Sequence, residues 1–200
     1  MDRPIYPPRP GRTLPPSALE TEDWTGWVAQ PKYNGTRVVI YRHEEGSAFH
    51  ARTGGFTMLN RHKRPLADYQ PSPELRESLL RLPPGIYDGE LLHHKTPDIK
   101  HRVMLWDLLG PERVGMDYGT RDTDLLGIFL DVVPGPAVRL ASSITPAISL
   151  AEAFRSITAA PEIEGFVMKR LDAPLERPIG ENNNGSWQVR IRRPAPNYAY

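Results

Sequence analysis

Trp27-Val28-Ala29-Gln30-Pro31-Lys32-Tyr33-Asn34-Gly35-Thr36-Arg37-Val38-Val39-Ile40-Tyr41-Arg42 sets one lysine in a short connection between two strand-like runs, residues 27–32 and 36–42. The β-branched and aromatic content of both runs suits strands. Pro31 before Lys32 and Gly35 after it make the connection tight, which holds the lysine at the end of a sheet. Taken alone, Lys-x-x-Gly is weak, and an ordinary exposed turn lysine is its commoner explanation. The functional reading is a nucleophile. A lysine amine attacks only when neutral, and burial beside other cations is the physical way to favour that form, so further positive groups are expected near Lys32 in space.

Outward from this turn, strand signals recur at residues 48–52, 86–92, 102–109, 165–171 and 187–192. Helix signals interrupt them. Ser72 then Pro73 precedes Leu75, Leu79 and Leu82 on one helical face. Ser149 with Glu152 makes a capping box ahead of Ala153, Phe154 and Ile157. A third helix is expected over residues 121–130. The elements follow no regular strand-helix alternation and no internal repeat, which predicts an α+β fold of antiparallel sheets flanked by helices rather than a doubly wound sheet. Residues 1–23, rich in proline, read as an extended lead-in on the surface, and residues 24–200 as the folded domain. The stretch Asn182, Asn183, Asn184, Gly185 reads as a loop.

At 200 residues and 39% apolar content the chain can bury a core of its own. It contains no cysteine, which excludes disulfides and thiolate metal sites and leaves oxygen or histidine ligands for any metal. No apolar run reaches membrane-spanning length, and the first residues lack the apolar core of a secretory signal, so a soluble, cytoplasmic protein is expected. The formal charge of +1 gives no strong overall field. A polyanionic partner would need a local basic surface, and Arg61-His62-Lys63-Arg64 and Arg190, Arg192, Arg193 are the clusters on offer, each otherwise a solvated face.

Four segments beyond the turn can carry chemistry. Asp88 and Glu90 alternate onto one strand face around Gly89, an arrangement that suits a magnesium ion or a ribose hydroxyl, or else a solvated acidic edge. Trp106, in an apolar run, offers a ring for purine stacking or for core packing. Glu164 and Lys169 are separated by five positions, so strict alternation opposes them, and both can face one site only if Glu164 precedes the regular strand or a bulge intervenes. Arg190 and Arg192 project together and can grip phosphate oxygens, or simply be solvated.

In order and content these segments resemble the covalent nucleotidyltransferase superfamily of ATP-dependent DNA and RNA ligases and mRNA capping enzymes. The motif Lys-x-(Asp/Asn)-Gly-x-Arg looks like Lys32 to Arg37. A Ser-Arg-x-Gly-like element looks like Ala51-Arg52-Thr53-Gly54. Asp-Gly-Glu matches Asp88 to Glu90, aromatic-Asp-Leu-Leu matches Trp106 to Leu109, and Glu-Gly-x-Val-x-Lys matches Glu164 to Lys169. The resemblance covers residues 24–192.

It implies a nucleotidyltransferase (ATP-grasp-like) fold and an ATP-dependent polynucleotide ligase. Lys32 would carry AMP, and 5′-phosphate and 3′-hydroxyl ends or nicks of RNA, DNA or a hybrid would be joined by a monomer. Implied roles are Lys169, Arg190 and Arg192 in catalysis beside Lys32. Gln30, Arg37, Arg52, Glu90, Trp106 and Lys169 would hold ATP, with Glu90 and Arg52 on the ribose or its phosphate. Glu164, Glu90 and Asp88 would lie around Mg²⁺ or Mn²⁺. An mRNA capping guanylyltransferase, or a non-catalytic nucleic-acid-binding module of the same fold, are the alternatives. Three features depart from the family pattern. Arginines stand where the last motif usually has lysines, Asn34 stands where DNA ligases commonly have aspartate, and the sequence ends at Tyr200 without the OB-fold domain that usually follows.

Overall fold

The computed structural model describes residues 7–66, 68–146, 149–176 and 184–194. Its strands form two sheets. One has four strands in the order β1 (Arg9–Leu14), β9 (Asn184–Arg192), β8 (Ile163–Arg170), β2 (Trp27–Tyr33). The other has five, in the order β4 (Phe56–Asn60), β3 (Thr36–Arg42), β5 (Gly85–Leu92), β6 (Arg102–Leu108), β7 (Val138–Leu140). The edge pairs β1/β9 and β6/β7 are parallel, and every other pair is antiparallel.

Each sheet buries one face under helices. On the five-stranded sheet, Val38, Ile40, Tyr87, Val103 and Leu105 pack with Leu75 and Leu79 of α3 (Pro73–Arg81) and Leu125 of α4 (Tyr118–Val132). On the four-stranded sheet, Ala29, Phe166, Met168, Val189 and Ile191 meet Leu19 of α1 (Ala18–Thr21) and Phe154 of α5 (Leu150–Ile157). Alternation then turns Gln30, Lys32, Arg37, Glu90, Lys169 and Arg190 to the opposite faces. Those faces look at each other across a cleft, and residues 33–35 carry the chain from one sheet to the other.

The α+β class and the antiparallel character of the sheets are as the sequence predicts. So are two helix starts. Ser72 Oγ accepts from the Leu75 amide at 3.2 Å with Pro73 in the first turn. Ser149 Oγ accepts from Glu152 at 3.3 Å. The expected helix at 121–130 extends from 118 to 132, because Asp117 caps it by accepting from the Thr120 amide at 2.7 Å.

Two expectations are corrected. Residues 48–52 are not a strand but lie in a helix, α2 (Ala48–Thr53). Ser47 caps its start through the His50 amide and Gly54, in the left-handed region at φ 69°, ends it, so local capping overrides the apolar content. The strand follows instead, as β4. The described part of the lead-in, residues 7–23, belongs to the folded body: β1 is a sheet strand, and Ala18 and Leu19 are buried with Trp24, whose Nε1 donates to the Ala18 carbonyl at 3.0 Å. Of the expected Asn loop, Asn182 and Asn183 lie outside the described residues, and Asn184 and Gly185 open β9. Among the described residues no helix is long and apolar enough to cross a membrane.

α4 is tied to the five-stranded sheet by a buried ion pair. Arg121, fully buried, donates Nε to Asp107 Oδ1 at 2.8 Å and Nη2 to Oδ2 at 3.1 Å. Arg121→Ala would leave the Asp107 carboxylate buried without its cation. The expected loss is about 3–5 kcal/mol of unfolding free energy in urea titration, and replacing both partners with apolar residues of matching size should recover most of it. A loss under about 1 kcal/mol for the single variant would contradict the assignment of this pair as the tie.

Candidate active site

Lys32 ends the regular pairing of β2. It lies opposite Gly165 on β8, while Tyr33 lies opposite Ile163, which leaves Glu164 as an extra residue in a bulge. The bulge is the device that the sequence reading required, and it brings Glu164 and Lys169 into the same cleft. Gly165 permits it: its φ is 153°, and a Cβ there would come within 2.0 Å of the Ile191 carbonyl oxygen on β9. Glu164 Oε2 contacts Lys32 Nζ directly and also accepts from Arg192 Nη2 at 3.0 Å. The positive group expected beside Lys32 is therefore Arg192, with a shared carboxylate between the two.

The five-stranded sheet supplies the facing wall. Arg37 makes a two-pronged pair with Asp88, its Nε reaching Oδ1 at 2.9 Å, and Trp106 Nε1 donates to the same carboxylate at 2.9 Å. Trp106 is the extra residue of a second bulge, since Asp88 pairs with Asp107 while Gly89 pairs with Leu105. Its ring lines the cleft with the Arg37 guanidinium 5.4 Å and Lys169 Nζ 5.8 Å from its centroid. Glu90 Oε1 accepts from the Gly35 amide at 3.0 Å. Burial pushes the Glu90 carboxyl up to about 7, against the opposing pull of Lys32 and Arg37.

Lys169 is buried, and that burial brings its amine down to about 8, although Asp107 and Asp88 favour the charged form. Its Nζ lies 3.4 Å from the Tyr118 hydroxyl, and Tyr118 in turn donates to Asp122 Oδ1 at 3.2 Å. Burial, chiefly, holds the Tyr118 phenol well above its ordinary value, so it stays a donor. Gln30 contributes its amide to the cleft wall. Arg190 and Arg192 both line the cleft as alternation predicts, and Arg190 Nε is buried without a hydrogen-bond partner.

Two sequence assignments change. Arg52 is outside the cleft: it sits on α2 with its guanidinium 4.9 Å from the Phe49 ring. Arg61, read from sequence only as part of a basic cluster, lines the cleft instead. It follows β4 in Asn60-Arg61-His62-Lys63, where Asn60 Oδ1 accepts from the His62 and Arg64 amides and Lys63 takes φ 62°. A lysine thus holds a left-handed position of the kind that favours glycine.

Asp88 shares the inner face with Glu90, as expected, but Arg37 and Trp106 saturate it, so it is not open to a metal. Among the described residues no three His, Cys, Asp or Glu side chains gather as a metal cage. The donors present fit the magnesium mode in which one carboxylate and substrate phosphates share the ion, with Glu164 facing the cleft and Glu90 beside it.

No family model and no curated protein matches this chain. Solved structures do. The ligase domain from M. tuberculosis LigD superposes with a TM-score of 0.60 at 18% identity, over 84% of this chain and 54% of that one. Chlorella virus DNA ligase-adenylate gives 0.56 at 15% identity over 92% and 67%, and an archaeal ATP-dependent RNA ligase 0.54 at 14% over 92% and 47%. The likeness is one of fold, that of ligase nucleotidyltransferase domains, and the chain spans about half the length of the LigD ligase domain.

Lys169 generates a pH prediction. With its amine near 8, below the ordinary lysine value of 10.5, it is mostly charged at pH 7 and mostly neutral at pH 9. A bound phosphate favours the charged form, so binding should take up a proton on the alkaline side. The affinity for AMP, doubly charged throughout this range, should fall from pH 7 to pH 9, and calorimetry in two buffers of different ionisation enthalpy should show proton uptake at pH 8.5. Lys169→Met should abolish the uptake, and an affinity flat across this range in the unmodified protein would contradict the assignment.

Proposed function

We propose that this protein is an ATP-dependent polynucleotide ligase that forms a lysyl-AMP intermediate on Lys32. One observation carries the reading. A lysine at the end of a strand meets a carboxylate able to take its proton, inside a cleft of about 750 Å³ that also holds the Trp106 ring, a buried lysine and the two arginines of β9. That volume is in the range of small-ligand sites, and the content suits a purine nucleotide. A turn lysine on a solvated surface would need none of these neighbours, and a pure binding module would not need Glu164 on Lys32.

In the first step the Lys32 Nζ lone pair attacks the α-phosphorus of ATP. A P–N bond forms, the P–O bond to pyrophosphate breaks, and pyrophosphate leaves with the electron pair. The Lys32 ammonium first gives one proton to Glu164, with which it is in contact, which frees the lone pair, and Nζ loses a second proton to solvent as the P–N bond forms. Arg190 and Arg192 are fixed donors for the non-bridging oxygens, on which negative charge grows in the transition state. Lys169 adds a third cation from β8, and Trp106 offers its ring face to the base. Arg37 is committed to Asp88 and acts by holding the Trp106 wall in place. Glu90 and Arg61 line the cleft and would contact the ribose and its phosphate.

A magnesium or manganese ion held by Glu164 and the substrate phosphates would supply Lewis-acid polarisation of the phosphoryl group. In the second step an oxygen of a nucleic-acid 5′-phosphate displaces the lysine: a P–O bond forms, the P–N bond breaks, and Lys32 regains its proton. In the third, a 3′-hydroxyl attacks the activated 5′-phosphate and AMP departs. The substrate is a 5′-phosphorylated end or nick in RNA, DNA or a hybrid, and a panel of these is the assay that ranks them.

Incubation with ATP and magnesium should add one AMP to the intact mass, on Lys32. If Lys32→Ala acquires the adduct at the wild-type level, the reading fails. The corrected motif position yields a second expectation. Arg61→Ala should weaken nucleotide capture by roughly 1–2 kcal/mol, the scale of one charge-assisted hydrogen bond, whereas Arg52→Ala should leave it unchanged. The reverse pattern in equilibrium titrations would restore Arg52 to the site.

A further inference from the structure

Gln30 is buried in the cleft wall, and its amide is held by one end only. Nε2 donates to Ser143 Oγ at 3.0 Å, to the Ala141 carbonyl at 3.2 Å and to Asp122 Oδ1 at 3.4 Å. Oε1 is buried with no partner. The orientation is forced by chemistry, because a carbonyl and a carboxylate can only accept, so the flipped amide would set Oε1 against both. Asp122 is itself fixed by the Tyr118 hydroxyl at 3.2 Å. Neither Asp122 nor Ser143 lines the nucleotide cleft. Both line a second hollow, with Val28, Leu126 and Leu171.

We propose that Asp122 and Ser143 are positioning residues that decide which purine the cleft accepts, by clamping Gln30 so that its amide presents an acceptor and never a donor; this rests on the lysyl-AMP reading of the same cleft. An unpartnered buried acceptor is costly, and the cost is relieved by a ligand that brings a donor. Adenine brings one in its exocyclic amine. Guanine carries a carbonyl oxygen at the equivalent ring position, which would face Oε1 as a second acceptor. The discrimination therefore originates in α4 and in the segment after β7, elements that hold no motif residue. With Asp122 and Ser143 removed, only the Ala141 carbonyl holds Nε2, and the side chain can swing away from it so that either end of the amide meets the base.

The test is labelling of Lys32 in the full chain by ATP, GTP and purine riboside 5′-triphosphate, which lacks the exocyclic group. Wild type should favour ATP over the other two by roughly 10- to 100-fold, the factor that one hydrogen bond to a buried acceptor carries. The double variant Asp122→Ala/Ser143→Ala should lose most of the ATP:GTP ratio, chiefly by gaining GTP labelling, while Ser143→Thr should keep the ratio. A merely structural role would lower labelling by all three nucleotides together. An unchanged ratio in the folded double variant overturns the clamp and leaves the lysyl-AMP reading standing. The wild-type comparison of ATP with purine riboside triphosphate needs no variant, and equal labelling there, or a preference for GTP, also overturns it. Absence of labelling by any nucleotide overturns the lysyl-AMP reading and this proposal with it.

Discussion

Everything at the cleft depends on one close approach: β8 passes so near β9 at Gly165 that no side chain fits between Cα and the Ile191 carbonyl. At that point the ladder takes in an extra residue, and the extra residue is Glu164. Without the bulge, alternation would send either Glu164 or Lys169 into the apolar layer beneath the four-stranded sheet. With it, a single carboxylate oxygen sits between Lys32 and Arg192, two cations from different strands. All three groups are partly screened, at 15–23% side-chain exposure, so the cluster contributes less to stability than to position.

The facing sheet uses the same device for a different end. A bulge in β6 turns Trp106 into the cleft, and the Arg37–Asp88 pair fixes the indole through its ring nitrogen. The two walls are built rigid, yet they leave polar atoms without partners: Arg190 Nε and Gln30 Oε1 are both buried and unsatisfied. Lys169 adds a buried amine whose charge is costly enough to bring it near 8. Such groups destabilise the empty protein and favour any ligand that satisfies them, so the cleft's binding energy is stored in its own unmet contacts. On the proposed reading, an anionic, donor-bearing nucleotide would relieve all three at once.

How much of this was legible in the sequence follows from the range of each interaction. The turn around Lys32, the serine caps of α3 and α5, and the alternation of Arg190 and Arg192 are local and were readable. The need for a bulge at Glu164 was readable too, because the spacing to Lys169 is odd. β1 was not, since its stability comes from parallel pairing with β9 at the far end of the chain. α2 is a helix because Ser47 and Gly54 cap it, a local effect that outweighs its apolar content. Arg61's place in the cleft depends on the left-handed backbone at Lys63, which the sequence does not display. Alternation placed Asp88 on the inner face correctly but could not say that Arg37 would already occupy it.

The arginines of β9 alter the division of labour within this fold. A lysine there could titrate, and its charge would depend on what lay beside it. Guanidinium groups keep their charge at any relevant pH, and their planar forks suit the non-bridging oxygens of a phosphate. Lys169, brought down to about 8 by burial, has a charge state that changes on the alkaline side of neutrality, and it lies on the wall with Tyr118 and Asp122. Phosphate grip and pH response therefore reside in different strands, β9 and β8. The Tyr118 hydroxyl joins the second of these to the group that fixes Gln30, since it contacts both Lys169 and Asp122. Lys169 is thus joined to the Gln30 amide by three hydrogen bonds in series, through Tyr118 and Asp122, so on the proposed reading the charge of Lys169 would couple phosphate binding to base recognition.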